Sequence, residues 1–121
     1  MKTILIIEDN PDHMKLAVLL LEKFGYAVLS AANAETGIQL ARERHPDLIL
    51  MDIQLPDMDG LEATRRLKAA DATRAIPVIA VTSYLSEHPE ADTLAAGCAA
   101  MIAKPYHYKD FLAAIRAALG E

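Results

Sequence analysis

The chain has 121 residues, of which 53% are hydrophobic and 5% aromatic, and seventeen acidic side chains against twelve lysines and arginines give a formal net charge of −5. That length suits one domain over residues 1–121 with a core that stands without staples, and the single cysteine, Cys98, excludes a disulfide framework or a multi-cysteine zinc site. The acidic balance speaks against a nucleic-acid surface and the apolar runs are too short to span a membrane, so a reducing cytoplasm is the expected compartment.

Short apolar runs alternate with helical periodicity along the chain. Ile4–Ile7 predicts a first strand, and Asn10-Pro11 then caps a helix whose apolar positions are Met14, Ala17, Val18 and Leu21. Gly25 stops that helix, Val28-Leu29 predicts a second strand, and Asn33 caps a second helix carrying Ile38 and Ala41. Leu48–Met51 and Val78–Val81 predict the third and fourth strands. A stripe of Ala91, Leu94, Ala95 and Cys98 predicts a helix ahead of Gly97, and Met101–Ala103 predicts a fifth strand. Phe111, Ile115 and Leu119 mark the closing helix. Strand runs without polar alternation imply a parallel sheet covered on both faces. Five strands alternating with five helices give a flavodoxin-like doubly wound α/β domain of strand order 2-1-3-4-5, whose ligands bind beyond the carboxyl ends of the strands near the reversal.

The residues at those ends are chemically pointed. Strand 1 ends in Glu8-Asp9, strand 3 in Asp52, strand 4 in Thr82 and strand 5 in Lys104; strand 2 ends in Ala31-Ala32, which carries no chemistry. Six acids fall in the windows 8–12 and 52–59: Glu8, Asp9, Asp12, Asp52, Asp57 and Asp59. Carboxylates gathered in one cleft call for a hard divalent cation such as Mg²⁺, with Asp9, Asp52 and a backbone carbonyl near Gln54 as ligands and Glu8 acting indirectly. A metal beside a carboxylate, a hydroxyl and an ammonium makes a phosphoryl-transfer set, with Asp52 as the nucleophile and Thr82 and Lys104 holding phosphoryl oxygens. Each acid alone is also an ordinary helix cap or dipole partner; the conjunction at four of five strand ends is what points to one reaction.

These residues resemble the receiver domain of two-component response regulators. The resemblance runs through Ile-Ile-Glu8-Asp9-Asn10, Pro46-Asp47-Leu-Ile-Leu-Met-Asp52, Leu55-Pro56-Asp-Met-Asp-Gly60, Ile76-Pro77-Val-Ile-Ala-Val-Thr82, Ala96-Gly97 and Lys104-Pro105. It implies a CheY-like fold with Asp52 as phosphoacceptor and an acidic pocket of Glu8 and Asp9. Magnesium would be held by Asp9, Asp52 and the Gln54 carbonyl. Thr82 would be the switch hydroxyl, Lys104 the phosphate-contacting lysine, and a cis bond would precede Pro105. The segment from Met51 to Leu67, and a chain that closes with the fifth helix at Gly120-Glu121, are most similar to stand-alone cell-cycle regulators of the DivK kind. Such a protein takes its phosphoryl group from a histidine kinase or histidine phosphotransfer protein. Its output is contact with a downstream protein target through the helix-4/strand-5/helix-5 face, as a monomer and not as an enzyme on other substrates.

Two positions depart from the usual pattern. Met101 stands where most receivers carry Tyr or Phe, and its flexible side chain can fill the same groove. Ser83 replaces the small alanine common after the switch threonine. Gln54 and Tyr84 occupy positions that set dephosphorylation rate in this family. His13 is expected on the surface of the first helix near the acidic loop, as a partner-face residue rather than a metal ligand, and Tyr106 belongs to a polar-aromatic run suited to an interface. Three other readings are weaker. An Asp-dependent phosphatase of the haloacid dehalogenase type needs an acid where this chain has Gln54. A flavodoxin-like electron carrier needs phosphate-wrapping amides where Glu8-Asp9-Asn10-Pro11 would repel phosphate. A receiver-like module that binds partners without phosphorylation leaves the complete acceptor set unused.

Overall fold

The computed structural model describes residues 1–83, 90–104 and 107–121. The strands are β1 (Thr3–Ile7), β2 (Ala27–Ala31), β3 (Leu48–Asp52), β4 (Val78–Ser83) and β5 (Ala100–Lys104). They alternate with α1 (Pro11–Lys23), α2 (Ala34–Arg44), α3 (Gly60–Ala69), α4 (Glu90–Ala96) and α5 (Tyr108–Leu119). All pair in parallel in the order β2-β1-β3-β4-β5, as the sequence predicts.

The continuous apolar runs exist because the sheet is covered on both faces. Leu5, Ile7, Ile49, Met51, Val78 and Ala80 face one layer with Ile38 and Ala41 of α2 and Leu61, Ala63 and Leu67 of α3. Ile4, Ile6, Leu48, Leu50, Ile79, Val81 and Ile102 face the other, with Ala17 and Leu21 of α1 and Phe111, Leu112 and Ile115 of α5. Phe111 and Ile115 are wholly buried, and each such side chain contributes about 1.5–3 kcal/mol by leaving water. β2 lies at an edge and is only half-buried, with Ser30 exposed, which explains why its apolar run is short.

The helix starts follow the sequence. Asn10 Oδ1 accepts the amides of Asp12 and His13 and places Pro11 at the first helical position; Asn33 Oδ1 accepts the Thr36 amide. α2 lies tight on β1: a Cβ at Gly37 would stand 2.3 Å from Ile7 Cδ1, so any larger residue would force the Ile7 side chain to shift.

Two local expectations are corrected. β4 continues one residue past Thr82 to Ser83, whose backbone stands in register with Lys104. The inner face of α4 is not the predicted stripe: Ala91, Leu94 and Ala95 are exposed, Thr93 and Ala96 are buried, and Cys98 lies beyond the helix end, although buried. Small inward residues let this short helix lie close to its neighbours, and they leave no apolar periodicity to read. Among the described residues no helix is long and apolar enough to cross a membrane.

Candidate functional site

β1 and β3 are neighbours, and both deliver acids past their carboxyl ends. The Glu8 amide donates to the Ala31 carbonyl (3.0 Å), extending the β1–β2 ladder by one step and fixing Glu8 just beyond the strand. Asp52 is the last residue of β3, in register with Val81. Glu8 and Asp52 are buried, at 6% and 7% exposure, while Asp9 is open to solvent. α3 enters directly beneath: a Cβ on Gly60 would lie 2.3 Å from the Asp52 carbonyl oxygen, so glycine is required where this helix begins.

Lys104 arrives from β5 across the sheet. Its ammonium forms an ion pair with Glu8 Oε1 and lies 3.7 Å from Asp52 Oδ2. It also donates to His13 Nδ1 at 3.1 Å, and His13 stands 3.7 Å from Glu8 Oε1. The Asn10 amide donates to Glu8 Oε2 (3.3 Å) and the Gln54 amide to Asp52 Oδ1 (3.1 Å). Glu8, Asp9, Asn10, His13, Asp52, Gln54 and Lys104 together line an open cleft of about 330 Å³.

The two buried carboxyls titrate apart. Burial raises the pKa of Asp52, and its hydrogen bond and charge repulsion with Glu8 raise it further; the Lys104 charge and the Gln54 amide pull only part of the way back, leaving it at about 7 against an ordinary 3.8. Burial also pushes Glu8 up, but the hydrogen bond from Asp52 and the Lys104 ammonium outweigh it and hold Glu8 below the usual range. One ammonium thus serves two acids, and burial beside Glu8 favours a proton on Asp52. A second cation beside Asp52 would release that proton.

The donor set fits such a cation. Glu8, Asp9 and Asp52 each offer an oxygen, and these oxygens lie within 4.8 Å of one another. Oxygen-only donors with one acid open to solvent suit magnesium, which keeps waters and takes one or two carboxylates. The other three acids of the two windows do not join this group. Asp57 accepts the amides of Ala34 and Glu35 at the start of α2, both at 2.9 Å. Asp59 Oδ1 accepts the Leu61 amide (2.7 Å) and caps α3. Asp12 sits in the exposed first turn of α1. Helix N-termini carry unpaired amides and positive partial charge, and these acids answer that need instead. The Asp57 contact, between loops far apart in sequence, left no local signal.

The remaining site candidates divide. Thr82 is buried on the β4–β5 ladder opposite Ala103, one step beyond the level of Asp52. Met101 is half-buried against the core layer that contains α2 and α3, opposite Ala80. His13, expected on the surface, is 52% exposed yet reaches into the cleft through Lys104. Tyr84, Pro105 and Tyr106 lie outside the described residues.

Comparison with known proteins gives the geometry a family. Residues 4–116 match the response regulator receiver domain. The chain is 45% identical over 120 residues to the polar-differentiation response regulator DivK of Brucella anthropi, covering 99% of this chain and 98% of that protein. The receiver domain of a sensor histidine kinase from Pseudomonas aeruginosa, solved with a magnesium ion coordinated in its active site cleft, is 31% identical with a TM-score of 0.90, covering 99% and 98% of the two chains. A CheY-like receiver domain protein from Methanospirillum hungatei is 33% identical with a TM-score of 0.91, covering 99% and 94%. The chain therefore belongs to the response regulator receiver domain family, the phosphorylation-based signalling domains of two-component systems.

Proposed function

We propose that this protein is a phosphorylation switch in which Asp52 accepts a phosphoryl group from a histidine kinase or histidine phosphotransfer protein and the modified form binds a downstream protein. The observation that carries this reading is the convergence on Asp52 of Glu8, Asp9 and Lys104 at the open end of a buried strand. Asp9, Asp52 and the Gln54 carbonyl would hold magnesium, with Glu8 acting indirectly; when bound, the ion neutralises charge on the phosphoryl oxygens. Asp52, ionised beside that charge, attacks phosphorus in line with the donor imidazole. The P–O bond forms as the P–N bond breaks, and the electron pair of the broken bond returns to the donor ring nitrogen.

Lys104 is the mobile charge in this scheme. Paired with Glu8 and His13 but only 3.7 Å from Asp52 Oδ2, it can transfer to a phosphoryl oxygen by a short side-chain movement. Thr82, carried by the neighbouring strand just beyond the level of Asp52, would turn its hydroxyl toward the same group, and Met101 on β5 would fill the space that the threonine vacates. Biasing two such arrangements takes only a few kcal/mol, which charge-assisted hydrogen bonds to a phosphoryl group can supply.

The test is direct labelling. Incubation with magnesium and acetyl phosphate should add one phosphoryl group to the intact mass of the wild type and none to Asp52→Asn or to the wild type in EDTA. An unlabelled wild type, or equal labelling of Asp52→Asn, would overturn the assignment.

A further inference from the structure

The β2–α2 turn, taken from Ala31 at the strand end to Ala34 and Glu35 at the helix start, is bonded to both halves of the acidic cleft. On one side the Ala31 carbonyl accepts the Glu8 amide at 3.0 Å, holding the end of β1 that bears Glu8 and Asp9. On the other side the amides of Ala34 and Glu35 donate to the two carboxylate oxygens of Asp57, each at 2.9 Å. Asp57 sits at the tip of the loop that leaves Asp52. The base of that loop is closed by the pairing of Gln54 with Asp59 and by the Gly60 amide donating to the Ile53 carbonyl at 2.8 Å. α2 is itself seated on β1, with Gly37 against Ile7, so the turn cannot drift from the acidic pair.

We infer that the β2–α2 turn is a strut that sets the width of the metal cleft, and that Asp57 is the positioning residue that fastens the Gln54 loop to it. Asp57 itself stays outside the carboxylate cluster. Its two bonds place the β3–α3 loop in register with the end of β1, so that the Gln54 carbonyl and Asp52 meet Asp9 at a fixed spacing. Magnesium demands near-ideal octahedral geometry, so a loop free to shift loses affinity even with every ligand present. The two amide bonds also hold the Asp57 carboxyl below its ordinary range, as expected for an anion bound by a helix N-terminus.

This inference rests on the magnesium reading above, and the experiment separates the two. Magnesium binding is measured by titration calorimetry on wild type, Asp9→Asn, Asp57→Ala and Asp57→Asn, with thermal unfolding and amide hydrogen exchange on the same samples. Asp57→Ala should weaken the dissociation constant by roughly tenfold. The Ala34 and Glu35 amides should lose protection in the same variant. Asp57→Asn, which keeps the side-chain volume and one acceptor oxygen, should fall between, and it carries the test if the alanine variant does not fold. Wild-type affinity in both Asp57 variants would overturn the strut while leaving the metal site intact, even if their unfolding temperatures fell. Magnesium binding that is absent from the wild type, or unchanged in Asp9→Asn, would overturn the metal reading and the strut with it.

Discussion

Six acids lie within two short stretches of this chain, and they divide into two sets that differ in everything but chemistry. Glu8, Asp9 and Asp52 stand past strand ends, where the backbone ladders of a parallel sheet bring them within 4.8 Å of one another. Asp12, Asp57 and Asp59 stand at helix starts, where unpaired amides and the helix dipole favour a negative charge. The fold works against Asp52 in the first set and with Asp57 in the second. Asp52 is raised to about 7 by burial and by Glu8, whereas Asp57 is lowered by the Ala34 and Glu35 amides. An acid that the fold holds uneasily is one that a cation or a phosphoryl group can relieve; an acid already satisfied has nothing left to trade.

The largest test of that contrast is the response of stability to pH. The folded-state pKa of Asp52 lies above its ordinary value, so the native state holds this proton more tightly than the unfolded chain does. Metal-free wild type should therefore lose stability as pH rises from about 4 to about 7 through this group, and level off above. Asn at this position resembles the protonated acid: its amide nitrogen can donate to Glu8 and its oxygen can accept from Gln54. Asp52→Asn should match wild type at pH 4 and exceed it at pH 8 by on the order of 2 kcal/mol, a figure discounted for the access of water to the cleft. Magnesium at pH 8 should raise the wild-type unfolding temperature and close that gap. Parallel unfolding curves across pH for the two proteins would contradict the assignment of strain to Asp52.

Asp59 should behave in the opposite way. Asp59→Ala removes the cap of α3 and should cost about 1 kcal/mol in urea unfolding, since alanine leaves the Leu61 amide without its side-chain acceptor. The loss should be indifferent to magnesium. A magnesium-dependent loss would place Asp59 with the strand-end acids instead.

What the sequence could show of this division follows from how far apart the partners are. The sheet order was legible because Ile4–Ile7, Leu48–Met51 and Val78–Val81 are apolar without alternation, which only a sheet covered on both faces accommodates. The caps Asn10 and Asn33 were legible because a cap and its amides lie within three residues. The strand-end acids were legible because topology alone places them together. The inner face of α4 was not, because buried Thr93 and Ala96 are too small or too polar to stand out while Leu94 is 49% exposed. Nor was the destination of Asp57, whose partners lie 22 and 23 residues away at the start of α2. From sequence alone it reads as one more acid of the cleft.

Asp12 gives the smallest effect and the most discriminating one. It is only three residues from Asp9, closer in sequence to the cleft than any of the other helix-start acids. Its position is nevertheless the first turn of α1, exposed, with its own amide donated to Asn10. An acid there interacts with the helix dipole through water, which is worth a few tenths of a kcal/mol, about the lower end for such sites, and is screened by salt. Asp12→Asn should therefore lower stability slightly at low ionic strength, lose even that effect in about 1 M salt, where the screening length falls to about 3 Å, and leave acetyl phosphate labelling of Asp52 unchanged. If labelling instead fell, charge summed over the whole acidic segment would govern the site. Unchanged labelling means that what matters is the place each carboxylate takes at the end of a strand or the start of a helix.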